Sequence, residues 1–225
     1  MEVMEKEATP VALERDYYKV LLVGPSGDGK TYSFRNMNPE TTGFINVENK
    51  PLPFPNKFKN HKKCNSWQEA YETLAEYAKN PQIDCIVFDS FSAYTEMLLA
   101  EARATKKNFE IWNMYNDNIG LLLSRVKKVK KEVFITAHYE ILGIEGAMEK
   151  RVKAKGKEWE GLIEKEFSLV LYSGKRLTDK GIPEYFYNAF QEGTSAKCPP
   201  DLLKGLKIPN DTNEIFQDIK KFTNK

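Results

Sequence analysis

Gly24-Pro25-Ser26-Gly27-Asp28-Gly29-Lys30-Thr31 is the stretch that decides the fold of this chain. It fits G-x-x-x-x-G-K-S/T at every fixed position. Four apolar residues, Val20 to Val23, precede it and read as a buried strand. Thr31 to Met37 follow and can form the first turns of a helix. This motif between strand and helix reads as a phosphate site rather than a plain glycine turn, because the glycines let backbone N–H groups converge on phosphate oxygens with no Cβ in the way. The helix start adds the positive end of its dipole. All eight residues from Gly24 to Thr31 are therefore assigned to a nucleotide. Lys30 reaches its β- and γ-phosphates, and the Thr31 hydroxyl holds Mg²⁺.

Outward from the loop, strand and helix patterns alternate. Gly43 to Glu48 reads as a second strand ending on a carboxylate, and Pro51, Pro53 and Pro55 then forbid regular structure. Ser66 and Glu69 form a capping box, followed by Trp67, Ala70, Tyr71, Leu74 and Ala78 at helical spacing. Ile83 to Phe88 is almost wholly apolar, as a parallel strand covered on both faces must be, and ends at Asp89-Ser90. Helical patterns run from Tyr94 to Ala104 and from Ile111 to Val129. Val133 to Ala137 is a fourth strand, ending at His138. Tyr139 to Glu166 is irregular and is expected to form a hairpin or loop with a short helix near its end. Phe167 to Tyr172 and Tyr185 to Phe190 are later strands, and the chain from Pro199 is turn-rich, then weakly helical. The alternation predicts an α/β fold with a mostly parallel central sheet flanked by helices. Its divisions are a polar arm over 1–16, a nucleotide-binding core over 17–198 and a tail over 199–225.

Composition narrows the class. The chain has 225 residues, of which 41% are hydrophobic and 29% charged, enough for one large domain with a real core. Net charge is only +2, so nucleic-acid binding has to rest on local clusters. Cys64, Cys85 and Cys198 are scattered and odd in number, which suggests neither a zinc site nor a disulfide framework. The charged N-terminus lacks an apolar signal core, and no run is long enough for a bilayer. A cytoplasmic protein with no membrane partner is expected.

Ligands of parallel sheets bind beyond the carboxyl ends of the strands. Thr31, Glu48, Asp89 and His138 all lie there. Asp89 fits the second element of a nucleotide site, which holds Mg²⁺ directly or through water, or is a helix cap or turn aspartate. Glu48 can orient and deprotonate a water, or be an ordinary solvated glutamate. His138 can sense a γ-phosphate, or be satisfied by backbone. Two basic clusters stand out. Arg125, Lys127, Lys128, Lys130 and Lys131 share a helix and read as a solvated face. Lys150, Arg151, Lys153, Lys155 and Lys157 have no helix face to explain them, so phosphate-backbone contact and a solvated hairpin stay equally open.

The order of these elements, from Tyr18 to Phe190, resembles the RecA-like recombinase core of P-loop NTPases. In that family the loop is followed by a strand ending in a catalytic glutamate, matched by Phe44-Ile45-Asn46-Val47-Glu48. A later strand ends in Asp-Ser, matched by Ile86-Val87-Phe88-Asp89-Ser90. A further strand ends in a γ-phosphate sensor, usually glutamine; here Phe134-Ile135-Thr136-Ala137-His138 offers histidine. The compact length, this strand end and Gly193-Thr194-Ser195-Ala196-Lys197-Cys198-Pro199 are similar to small phage RecA-like ATPases of single-strand annealing and recombination. The resemblance implies an ATPase using ATP and Mg²⁺, with Lys30, Glu48, Asp89 and His138 as its catalytic set. The partners it implies are single-stranded DNA, further copies of the chain in a ring or filament, and a single-strand DNA-binding protein. It also implies a cation from a neighbouring subunit, with Lys197, otherwise a solvated turn lysine, the first candidate and Arg176 the reserve, and DNA contact by Lys150, Arg151, Lys153, Lys155 and Lys157. The setting implied is the cytoplasm of a bacterial host. Two other readings compete. One is a small P-loop kinase, although Arg35, Arg103, Arg125, Arg151 and Arg176 form no paired lid signature. The other is a nucleotide-gated interaction protein with slow hydrolysis.

Overall fold

The computed structural model describes residues 15–144, 147–205 and 207–224. Most of the arm expected over 1–16 therefore lies outside the described residues. The strands among the described residues are, in chain order, β1 (Lys19–Val23), β2 (Thr42–Asn46), β3 (Asn60–Lys63), β4 (Cys85–Asp89), β5 (Glu132–Ala137), β6 (Tyr139–Ile144), β7 (Ala147–Val152), β8 (Leu169–Leu177), β9 (Pro183–Asn188) and β10 (Lys207–Pro209). The helices are α1 (Trp67–Lys79), α2 (Phe91–Thr105), α3 (Phe109–Lys128) and α4 (Thr212–Thr223).

Eight strands form one sheet in the order β10-β9-β8-β1-β5-β4-β2-β3. From β8 to β3 all neighbours are parallel, and β9 and β10 add an antiparallel edge. The fold is that of a RecA-like P-loop NTPase: β5 separates the strand that carries the glycine loop, β1, from the strand that ends on Asp89, β4. β6 and β7 make a separate hairpin over part of the segment expected to be irregular.

Strand alternation sorts the core into two layers. Leu21 and Val23 of β1 point with Ile86, Phe88 and Ile135 toward α1, α2 and α3. Val20 and Leu22 point with Val87 and Phe134 toward Phe34, Ile215, Phe216 and Ile219. Residues after 198 therefore build the second layer of the same core, through β10 at the sheet edge and the buried face of α4.

Local signals explain most boundaries. The Ser66 Oγ accepts from the Glu69 N–H at 3.1 Å, and a Glu69 carboxylate oxygen accepts from the Asn65 N–H at 2.8 Å. Two elements differ from expectation. Thr31–Asn36, after the glycine loop, is a 3-10 helix that gives way to extended backbone at Met37. Buried Ser33 fixes it there, donating to the Lys30 carbonyl at 2.7 Å, accepting from the Tyr187 hydroxyl at 2.9 Å and meeting the Thr212 hydroxyl at 2.6 Å. So short an element has little aligned dipole, and the positive field at the loop comes from its own amides and Lys30. β3 had no apolar signal because it is a polar edge strand, Asn60-His61-Lys62-Lys63, paired only with β2. Among the described residues, no helix is long and apolar enough to cross a membrane.

Ile219 tests whether α4 belongs to the cooperative core. Ile219→Ala should lower unfolding stability by about 2–5 kcal/mol, read from urea denaturation, since the side chain is fully buried on the sheet. A loss below about 0.5 kcal/mol, the usual range for surface substitutions, would mean that α4 unfolds apart from it.

Candidate functional site

The site stands where β1, β2, β4 and β5 end. The loop leaves β1 with the Gly24 N–H donating to the Ala137 carbonyl of β5 at 3.1 Å. Gly27 and Gly29 have φ of +78° and +76°, the left-handed region that glycine enters without strain. No atom lies within 4 Å of the position a Gly27 Cβ would take, whereas one on Gly29 would come within 2.8 Å of the Tyr185 ring. The Lys30 side chain curls back over the loop and donates to the carbonyls of Gly24 and Pro25, at 2.7 and 2.8 Å.

Asp89 closes β4 and is buried. One of its carboxylate oxygens accepts from the Thr31 hydroxyl at 2.9 Å, and the other accepts from the Thr136 hydroxyl of β5. The Asp89–Ser90 peptide is cis. Ser90 caps α2, accepting from the Ala93 N–H at 3.2 Å, and donates to Glu48 Oε1 at 3.1 Å. Glu48 sits two residues beyond β2, not on the strand as expected, where its N–H and that of Val47 both donate to the Asp89 carbonyl. Lys50 donates to Glu48 Oε2 at 2.9 Å, and His138 Nε2 lies 3.9 Å from Glu48 Oε1. His138 is anchored through its backbone. Its N–H donates to Ser92 Oγ and its carbonyl accepts from the Lys153 N–H, both at 2.8 Å.

Electrostatics follow from burial. Burial raises the Asp89 carboxyl above its ordinary range, against the pull of the Thr136 and Thr31 hydroxyls. Burial lowers the Lys30 ammonium, against the carboxylates of Asp89, Glu48 and Asp28. Glu48 goes the other way, to about 2, because His138 and then Lys50 and Ser90 favour its charged form over the cost of burial. The result is a carboxylate ionised at neutral pH beside a buried lysine and a hydroxyl–carboxylate pair. These groups border one cavity of about 640 Å³, which Lys50, Pro51, Leu52, Tyr32 and Tyr185 complete. The volume suits a nucleotide. A hydroxyl next to a carboxylate is a donor set for a hard cation such as Mg²⁺, and the open Gly27 turn leaves room for phosphate.

A model of the AAA domain family matches residues 16–197. The chain belongs to this family of P-loop ATPases. No curated protein matches. Among solved structures, a KaiC-like protein from the hyperthermophilic archaeon Pyrococcus horikoshii is similar at 13% identity, with a TM-score of 0.47, over 76% of this chain and 77% of that one.

Within this AAA-domain protein, the expected residues fall into two groups. Lys30, Thr31, Glu48, Asp89 and His138 meet in the cavity. Lys197 does not line it; it pairs with Val170 beside β8, near Glu164 and Glu166. Arg176 is exposed on β8 and pairs with Glu184. Of the basic run, Arg151 is paired with Glu149, and the Lys150 ammonium lies over the Tyr139 ring. Lys153 and Lys155 border a cleft of about 230 Å³ with Ser92, Glu96 and Arg103. The other basic cluster is split, because α3 ends at Lys128 and leaves Lys130 and Lys131 beyond it, and much of it is engaged: Arg125 stacks on Tyr71, Lys127 pairs with Glu166, and Lys131 donates to the Asn80 and Ile83 carbonyls.

Sequence reasoning missed Thr136, Ser90, Lys50 and Tyr185 as parts of the site. Thr136 had a signal, a hydroxyl inside an apolar strand two residues before His138. Tyr185 had none, because β9 reaches the loop only through sheet order.

The Glu48 shift has a consequence for acid stability. A carboxyl held below its unfolded value of 4.5 stabilises the fold above that pH and stops doing so as pH falls toward about 2. Between those limits wild-type urea midpoints should fall more steeply than those of Glu48→Gln, which has no charge to lose. Parallel curves would show that Glu48 is not held ionised.

Proposed function

We propose that the chain binds Mg²⁺–ATP in this cavity, hydrolyses it, and couples the cycle to single-stranded DNA. The observation that supports the ATPase most directly is the meeting of Lys30, Thr31, Glu48, Asp89 and His138 around one cavity. In this reading Lys30 exchanges the Gly24 and Pro25 carbonyls for the β- and γ-phosphates. Thr31 and Asp89 hold Mg²⁺, which when bound neutralises phosphate charge. Glu48 orients a water and takes its proton as the oxygen attacks the γ-phosphorus and the bond to ADP breaks. At about 2 its carboxyl is always ionised near neutral pH, so it is ready to accept a hydrogen bond from water, though weakly basic until Lys50 or His138 moves away. His138 meets the γ-phosphate side of the site.

Lys30→Ala should abolish productive triphosphate binding. Glu48→Gln should keep binding and lose about 10²- to 10⁴-fold in turnover, the range of a general base. A phosphate-release assay with a parallel binding titration measures both. Wild-type turnover in folded Glu48→Gln would remove Glu48 from the chemistry.

The DNA reading is supported by the resemblance to single-strand recombinases and by the path from His138 to the basic cleft. The His138 carbonyl holds the Lys153 N–H, and its own N–H holds Ser92, both on the wall of the cleft with Lys155 and Arg103. A shift of His138 on phosphate contact would move that wall, giving a two-state link between nucleotide and DNA. Lys157 is exposed two residues after Lys155, while Lys150 and Arg151 are held by Tyr139 and Glu149 and contribute less. Self-assembly on the strand would bring a neighbour's Lys197 or Arg176 toward the phosphates, and a single-strand DNA-binding protein is a natural companion.

An anisotropy titration of a labelled oligonucleotide at several salt concentrations tests this reading. Single strands should bind more tightly with a non-hydrolysable triphosphate than with ADP. Replacing Lys153 and Lys155 by alanine should make the slope of log affinity against log salt shallower by roughly 1.4, at about 0.7 per lost phosphate contact. An absence of binding under every nucleotide condition would leave a nucleotide-gated interaction protein as the better reading.

A further inference from the structure

Tyr32 and Tyr185 stand where two cavities meet. One is the cavity that holds Lys30, Thr31 and Asp89. The other, of about 570 Å³, is bordered by Arg35, Phe186, Asn210 and the same two tyrosines. Their ring centroids are 6.3 Å apart with planes inclined by 54°. Each ring is fixed from behind. The Arg35 guanidinium lies 4.4 Å from the Tyr32 centroid and is itself held by the Asn210 carbonyl at 2.6 Å. Tyr185 rests on Gly29, where a Cβ would come within 2.8 Å of the ring. Tyr32 nevertheless keeps 38% of its surface exposed. The phosphate cavity is also lined by Pro51, Leu52 and Pro53, which are apolar but offer no π-face.

The geometry points to Tyr32 and Tyr185 as the platform on which the base of a nucleoside triphosphate stacks, with Arg35 and Asn210 holding the platform in place. This rests on the nucleotide reading above and adds the part of the ligand that the glycine loop does not see. The loop recognises phosphates through backbone amides and Lys30, and those contacts are blind to the base. Tyr32 follows the loop's last residue directly, and Tyr185 lies on its glycine, so a base here stays within reach of phosphates bound at Lys30. Arg35 packs on the Tyr32 ring, and the ring still borders both cavities with 38% of its surface exposed, so it has surface to offer a flat ligand. Asn210 ties the same assembly to the loop by donating to the Gly29 carbonyl at 3.1 Å.

The experiment is calorimetric titration of the full chain with ATP and, separately, with inorganic tripolyphosphate, each with Mg²⁺. Wild type should bind ATP more tightly than tripolyphosphate. Tyr32→Leu and Tyr185→Leu should each weaken ATP binding by roughly 5- to 150-fold, the range for loss of a base–aromatic stack, and leave tripolyphosphate affinity alone. The phenylalanine variants keep the ring and should keep wild-type affinity. They also serve if Tyr185→Leu disturbs the loop, and Tyr32, being partly exposed, tolerates leucine. Equal loss on both ligands would assign the tyrosines to loop packing and overturn the platform. Equal wild-type affinity for both ligands would overturn it while sparing the phosphate site. Failure of wild type to bind either would overturn the nucleotide reading itself and this inference with it.

Discussion

Burying the carboxylate of Asp89 is costly, and the hydroxyls of Thr31 and Thr136 offset that cost from two sides. The two partners come from the loop after β1 and from β5, so satisfying Asp89 requires both to lie beside the end of β4. The sheet order meets this demand, since β5 runs between β1 and β4. Ser90, the next residue, carries the constraint onward. It starts α2 and donates to Glu48, so one dipeptide sets the positions of the loop threonine, a helix and the second carboxylate.

The two carboxylates illustrate how neighbours override residue type. Asp89 has two hydroxyl donors and is fully enclosed, so burial raises its carboxyl. Glu48, only half-buried, has His138 and Lys50 beside it, and its carboxyl falls to about 2. Lys30 responds to the same field with the opposite sign, lowered by burial and supported by the carboxylates. The site thus combines two lysines, one enclosed carboxylate and one ionised carboxylate around a single cavity.

The floor of the site is kept rigid from outside the motif. The short 3-10 helix after the loop cannot hold itself by length, and the far end of the chain holds it instead. Asn36 donates to the Asp211 carboxylate at 2.6 Å, and Ser33 meets both Thr212 and Tyr187. Asp211 caps α4, so the start of that helix and the floor of the site share one anchor. This joins residues about 175 positions apart and makes the C-terminal segment part of the site's support.

What the sequence determined by itself was local or periodic. The loop was legible because fixed glycines and a lysine have a mechanism at that spacing. The parallel strands were legible because residues covered on both faces must be apolar, and the positions of Asp89 and His138 followed from where those runs stop, whereas β2 stops two residues short of Glu48. The capping box at Ser66 was legible for the same local reason. Other features depended on partners distant in the chain. β3 is polar because an edge strand buries little, so no hydrophobic pattern marks it. The 3-10 geometry after the loop is imposed by Tyr187 and Thr212. Lys150 meets the Tyr139 ring because β6 and β7 form a hairpin, and the cleft that Lys153 and Lys155 border exists because α2 supplies its other wall. Tyr185 reaches Gly29 only because β9 pairs with β8, and β8 with β1. Spacing along a chain specifies what one segment can do; which side chains from other segments face it is decided by strand order and packing.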